Sequence, residues 1–184
     1  MPKGKILLGV TGGIAAYKAA ELTSSLTQKG VEVTVIMTKA ATHFITPLTF
    51  RTLSGKEVFT ELFPEEFTTT PLHISLTRRG QILIIVPATA NFIGKLANGL
   101  ADDLLTTVAL SFTGPIILAP AMNEAMFKNK VVQDNVKKLK KGGVEIIAPE
   151  KGYLACGYIG EGRLANLDKI IKIIFETLKK TAKG

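Results

Sequence analysis

Tryptophan is absent from this 184-residue chain, cysteine occurs once, histidine twice, and aromatic residues make up only 7%. A single cysteine excludes an intramolecular disulfide framework and fits a reducing compartment. No apolar run reaches the roughly 18–20 residues that a membrane-spanning helix needs. The amino terminus also lacks a signal-peptide layout, because the apolar stretch Lys5–Val10 is far too short for its hydrophobic region. Acidic residues are the other scarcity: 15 Asp and Glu face 23 Lys and Arg, a formal charge of +8. Hydrophobic residues, by contrast, reach 46% against 21% charged, which excludes intrinsic disorder and allows a sizeable core. One soluble, cytoplasmic domain covering residues 1–184 is expected, with no membrane partner.

A positive surplus of this size can mark nucleic acid, an anionic membrane or small anionic molecules as partners. The basic residues are scattered, however. Two small clusters, Lys137–Lys141 and Lys179–Lys183, fall in segments of helical character, where a solvated face accounts for them. Nucleic-acid binding is not expected.

Apolar runs alternate along the chain with segments of helical period. Lys5–Val10 and Val31–Met37 read as strands, and Ile82–Val86 and Ile116–Ala119 are continuously apolar, as strands buried on both faces should be. Val144–Ala148 is a further candidate and Val58–Leu62 a weaker one. Helices are expected over Ile14–Lys29, Asn91–Asn98, Asp103–Ser111, Val131–Lys140 and Leu167–Lys180. This alternation predicts an α/β fold, a doubly wound parallel sheet with helices on both faces. Ligands of such sheets bind beyond the carboxyl ends of the strands, which directs attention to the loops there.

The loop after the first strand, Gly9 to Lys18, combines glycines with a helix amino terminus and suits a phosphate, although a tight turn without a ligand is the alternative. Its spacing fits neither G-x-G-x-x-G nor a P-loop. After the second strand stand Thr38 and Lys39, where an NAD site would place an acidic residue; a hydroxyl and a cation suit a phosphate, or Thr38 is an ordinary helix cap. Thr89 and Asn91 follow the Ile82–Val86 strand, and Asn123 follows Ile116–Ala119. Capping explains one such residue per loop more easily than two. His73 alone reads as a surface or satisfied histidine, and Cys156 alone as a buried apolar residue. The glycines around Cys156 nonetheless describe a flap rather than a core element.

Taken in order, Gly12-Gly13-Ile14, His73-Ile74, Pro87-Ala-Thr-Ala-Asn91 with Pro120-Ala-Met-Asn123, and Ala155-Cys-Gly with Gly162-Arg163 closely resemble the homo-oligomeric flavin-containing cysteine decarboxylases. The resemblance runs from Lys5 through the last helix. Within that family it points to the members that decarboxylate 4'-phosphopantothenoylcysteine in coenzyme A synthesis. It implies a Rossmann-like flavoprotein sandwich and FMN as cofactor. The implied FMN residues are Gly12, Gly13 and Ile14; Thr38, Lys39 and Ala40; Thr89, Ala90, Asn91 and Phe92; and Ala121. His73 corresponds to the active-site base, Asn123 to the ligand of the substrate carboxylate, and Cys156 to a proton donor on a flap that closes over the substrate. No metal is implied. Family members form trimers, or dodecamers of trimers, with FMN near a subunit interface. Many are fused to the phosphopantothenate–cysteine ligase that makes their substrate.

Two departures stand out: Arg78-Arg79-Gly80-Gln81 replaces a usual aromatic-Ala-Asp stretch, and Phe92 replaces a frequent Thr. The implied chemistry accounts for the residue types. A cysteine carboxylate has no adjacent electron sink, so its carbon–sulfur end is first oxidised, and the resulting C=S takes up the electrons released with CO2. Peptidyl-cysteine decarboxylases share the reaction, while flavin prenyltransferases lack the Asn123 and Cys156 motif pair. A noncatalytic flavin-binding or regulatory subunit is a reading of a different class, opposed by the joint presence of His73, Asn123 and Cys156.

Overall fold

A computed structural model describes residues 4–64 and 69–182. Lys183, in the second basic cluster, lies outside the described residues. Six strands form the main sheet: β1 (Lys5–Val10), β2 (Glu32–Met37), β3 (Val58–Phe59), β4 (Ile82–Ala88), β5 (Ile116–Pro120) and β6 (Glu145–Ile146). Their order is β3-β2-β1-β4-β5-β6, and every neighbouring pair is parallel. Parallel strands demand crossovers, and the intervening helices cover both faces. On one face lie α1 (Ala16–Gln28), α2 (Pro47–Ser54) and α8 (Leu167–Thr181); on the other lie α3 (Leu72–Thr77), α4 (Ala90–Ala97), α5 (Leu104–Ser111) and α7 (Lys130–Lys141).

The alternation of side chains along a strand decides which core each residue enters. In β1, Ile6, Leu8 and Val10 pack with α1 and α8, while Leu7 packs with Leu83 and Leu105 on the other side. All four are fully buried, and each such side chain contributes about 1.5–3 kcal/mol relative to exposure. In α8 the four-residue spacing of Ile170, Ile174 and Leu178 places one buried stripe on the sheet. In α7 only Val136 and Leu139 are buried, and Lys137, Lys138, Lys140 and Lys141 face solvent. The basic cluster there is a solvated helix face. Among the described residues, no helix is long and apolar enough to cross a membrane.

Local chemistry sets the helix starts. Asp103 stands just outside α5, where its Oδ1 accepts the Thr106 N–H at 2.8 Å and its own N–H donates to Thr106 Oγ1, a reciprocal capping box. Several elements have no counterpart in the sequence patterning: α2, α3, the five-residue α6 (Glu124–Lys128), and an antiparallel hairpin of β7 (Glu150–Tyr153) and β8 (Ile159–Arg163). The strands expected at 58–62 and 144–148 each shrink to two residues at the sheet edges, where pairing on one side alone supports them. From β1 the chain moves outward through β2 and β3, then returns to β4 and continues the other way. The loops after β1 and β4 therefore diverge and leave a crevice between them.

Candidate active site

One hydroxyl ties the two sides of that crevice together. Thr11, at the end of β1 and 2% exposed, donates from Oγ1 to the Pro87 carbonyl at 2.7 Å and accepts the Thr89 N–H at 3.0 Å. A cleft of about 810 Å³ opens here, lined by Gly12, Gly13 and Ile14 after β1, Thr89 and Ala90 after β4, and Ala121, Met122 and Asn123 after β5. The β7–β8 hairpin closes another wall with Tyr153, Ala155, Cys156 and Arg163, and α8 adds Asn166 and Asp168.

The floor is shaped for close approach. A Cβ on Gly12 would stand 2.5 Å from Ala40 Cβ and 2.8 Å from its carbonyl carbon, so the loops after β1 and β2 pack only because residue 12 is glycine. The helix that starts here, α1, has Ala15 at its N-cap, no side-chain cap and no acidic residue in its first turn. Its first-turn Ala16 and Lys18 N–H groups turn back onto the Gly13 and Ala15 carbonyls, and the positive end of its dipole faces the cleft. Lys18 and Tyr17 also line this region; the Lys18 ammonium donates to Glu21 Oε2 at 2.7 Å, which holds it above its ordinary pKa.

Asn123 caps α6, its Oδ1 accepting the Ala125 N–H at 2.8 Å. Its Nδ2 faces the hairpin, 3.0 Å from Tyr158 Oη and 3.5 Å from Cys156 Sγ. Hydrogen bonding with Cys156 and then desolvation push the Tyr158 phenol above its ordinary pKa. The hairpin is seated on α6 by Glu124, whose Oε1 accepts the Lys128 ammonium at 2.8 Å and the Glu161 N–H at 3.2 Å. Those two bonds, Lys128 first, hold the Glu124 carboxyl below its usual pKa. The Met122 N–H donates to the Gly162 carbonyl at 3.0 Å. Gly162 has φ +127°, and a Cβ there would run into the Met122 carbonyl oxygen, so a side chain at 162 would push the hairpin off the loop.

The sequence-derived residues thus divide. Gly12, Gly13, Ile14, Thr89, Ala90, Ala121, Asn123 and Cys156 share the cleft. Thr38, Lys39, Ala40, Asn91, Phe92 and His73 do not line it. Thr38 Oγ1 accepts the Ala41 N–H at 3.3 Å, the capping role kept open for it, and Ala40 meets the cleft only by buttressing Gly12. Phe92 is 2% exposed, its ring in the core and its N–H on Thr89 Oγ1. Asn91 is exposed beside it. His73, half-buried on α3, sits on the opposite face of the sheet from α1 and α8. Thr11 and Tyr158 carried no separate signal in the sequence, since their partners lie 76 and 35 residues away. Among the described residues, no three His, Cys, Asp or Glu side chains converge to hold a metal ion.

Comparison with known proteins places this geometry. The Flavoprotein family model matches residues 1–179. The chain belongs to the Flavoprotein family. Within that family, it is 49% identical over 168 residues to the coenzyme A biosynthesis bifunctional protein CoaBC of Bacillus subtilis (strain 168), covering 91% of this chain and 41% of that relative. The chain therefore spans less than half the length of that relative. Among solved structures, a cysteine-to-serine variant of PPC decarboxylase complexed with pantothenoylaminoethenethiol superposes with a TM-score of 0.84 at 32% identity, covering 95% of this chain and 100% of that one. The FMN-dependent cysteine decarboxylase SpaF gives a TM-score of 0.83 at 30% identity, covering 97% of both chains.

Proposed function

We propose that this flavoprotein catalyses the oxidative decarboxylation of the cysteine moiety of 4'-phosphopantothenoylcysteine, giving 4'-phosphopantetheine and CO2, with FMN as cofactor. The observation that carries the reading is the meeting of Asn123 and Cys156 over a glycine-floored cleft, with the cysteine on a separate hairpin. The names of similar proteins, coenzyme A biosynthesis and PPC decarboxylase, agree with it.

The residues present fit FMN. Gly13 borders the cleft with no side chain to fill it, and the uncapped amino end of α1 offers the positive end of its dipole to a phosphate. Ile14 is 62% exposed and provides apolar surface of the kind a flavin ring covers. Thr89, Ala90 and Ala121 complete this wall, and Ala40 supports it by packing on Gly12, while Thr38, Lys39, Asn91 and Phe92 lie on the segments that adjoin it. Bound there, FMN would supply reversible two-electron redox chemistry at the substrate's carbon–sulfur end.

The chain's own groups do the rest. The Asn123 amide donates to the substrate carboxylate and aligns it for departure. The hairpin excludes water above the substrate, and the Cys156 thiol delivers a proton to the carbon that has lost CO2. His73 takes up the proton released by substrate oxidation. Because His73 lies away from Asn123 and Cys156 within one copy, that role belongs to a neighbouring copy in a homotrimer, or in a dodecamer of trimers. The enzyme works in the cytoplasm beside a phosphopantothenate–cysteine ligase, fused or separate.

Incubation of the yellow, flavin-loaded protein with phosphopantothenoylcysteine is expected to release CO2, whereas a peptide ending in cysteine is turned over poorly. A colourless protein, or preference for the peptide, overturns the reading. Gly12→Ala forces a shift against Ala40 main chain, at a cost of about 1–3 kcal/mol. Its expected result is loss of bound flavin by about tenfold or more, read from visible absorbance per mole of protein.

A further inference from the structure

The helix that Asn123 caps settles which way its amide faces. Oδ1 accepts the Ala125 N–H, so Nδ2 must point away from α6. Nδ2 carries two hydrogens, and the two acceptors it meets both belong to the hairpin: Tyr158 Oη at 3.0 Å and Cys156 Sγ at 3.5 Å. Oxygen is the stronger acceptor and thiol sulfur a weak one. A carboxylate arriving at Asn123 therefore displaces the thiol and leaves the amide joined to Tyr158. When CO2 departs, the hydrogen it held is free and the thiol's place beside Asn123 reopens. Throughout, the phenol keeps the hairpin in register with the site.

We propose that Tyr158 is a positioning residue for the second half of the reaction: suspended from Asn123, its hydroxyl aims the Cys156 thiol at the substrate and hydrogen-bonds the thiolate left behind. The assignment rests on the decarboxylase reading. In the step concerned, the S–H bond of Cys156 breaks and a C–H bond forms at the carbon that has lost CO2. The electron pair of the S–H bond stays on sulfur, and the new bond uses the pair of the enethiolate. The neighbouring carbon–sulfur carbon is then able to take back the electrons removed at the start. The thiolate regains its proton from solvent, to which Tyr158 is 41% exposed.

The phenol suits this task. Its raised pKa keeps it a donor through the range in which an ordinary thiol ionises. A hydrogen bond to an ionised acceptor is stronger than a neutral one, enough for about a tenfold effect on the population or rate it supports.

Tyr158→Phe keeps the ring and removes the hydroxyl. Flavin-loaded wild-type and Y158F proteins are given phosphopantothenoylcysteine, and CO2, reduced product and the product lacking two hydrogens are quantified together. Separately, the proteins are treated with iodoacetamide at neutral pH; Cys156 is the one cysteine of the chain, so intact mass reports its alkylation alone. In Y158F the share of turnovers ending as oxidised product is expected to rise at least about tenfold, and Cys156 alkylation to slow by about the same factor. A tyrosine that only supports the hairpin lowers both products together and leaves their ratio and the alkylation rate unchanged, which overturns the proposal. Absence of CO2 from the wild-type control overturns the decarboxylase reading, and the proposal with it.

Discussion

Cys156→Ser protein is expected to release CO2 from phosphopantothenoylcysteine and yet fail to yield the reduced product. The thiol stands on the hairpin, exposed to the cleft and 3.5 Å from Asn123 Nδ2, so its removal leaves the groups that hold the carboxylate untouched. What is lost is the acid. A serine hydroxyl is a far weaker proton donor than a thiol, and removal of a positioned general acid costs about 10²–10⁴-fold. Mass analysis of the products should find the enethiol, two hydrogens short of the normal product, as the main species. Reduced product formed at the wild-type rate would remove Cys156 from the mechanism.

Asn123→Asp is expected to stop the reaction earlier. An aspartate keeps an oxygen for the Ala125 N–H, so the cap of α6 survives and the fold should hold. The donor facing the hairpin is replaced by a negative charge beside the position of the substrate carboxylate. Two carboxylates about 4 Å apart repel by several kcal/mol at the dielectric of a half-buried site. CO2 release should fall by about 10²–10³-fold with flavin content unchanged, and the Cys156 and Tyr158 contacts to Nδ2 disappear as well. A kcat/KM near that of wild type would contradict the role given to Asn123.

The doubly wound sheet was legible because β4 and β5 are continuously apolar and β1 and β2 are short, apolar-rich runs, separated by segments of helical period. Edge strands bury little, so β3 and β6 left only two paired residues each within longer apolar stretches. The short α6 spans too few turns to show a period. The hairpin was legible as a flap from its glycines but not as paired strands, since Glu150–Tyr153 and Ile159–Arg163 have little apolar content and are seated by Glu124. In the site, residues that follow strands directly announced themselves: Gly12, Gly13, Thr89 and Asn123. Phe92 does not line the cleft, because the face of α4 that carries it packs into the core. Tyr158 escaped notice because its importance depends on a contact with Asn123, and nothing local in the chain encodes that meeting.

The single hydroxyl of Thr11 that joins Pro87 to Thr89 has a consequence for how the protein acquires its cofactor. The two margins of the crevice come from segments 76 residues apart and meet through this side chain. A molecule that bridges the crevice binds the complete fold and not the unfolded chain, and mass action then makes it a stabiliser: at a concentration of 100 times its dissociation constant it adds about 2.7 kcal/mol. For the FMN proposed as that molecule, the expected result is a melting temperature that rises with added FMN and falls when the flavin is stripped.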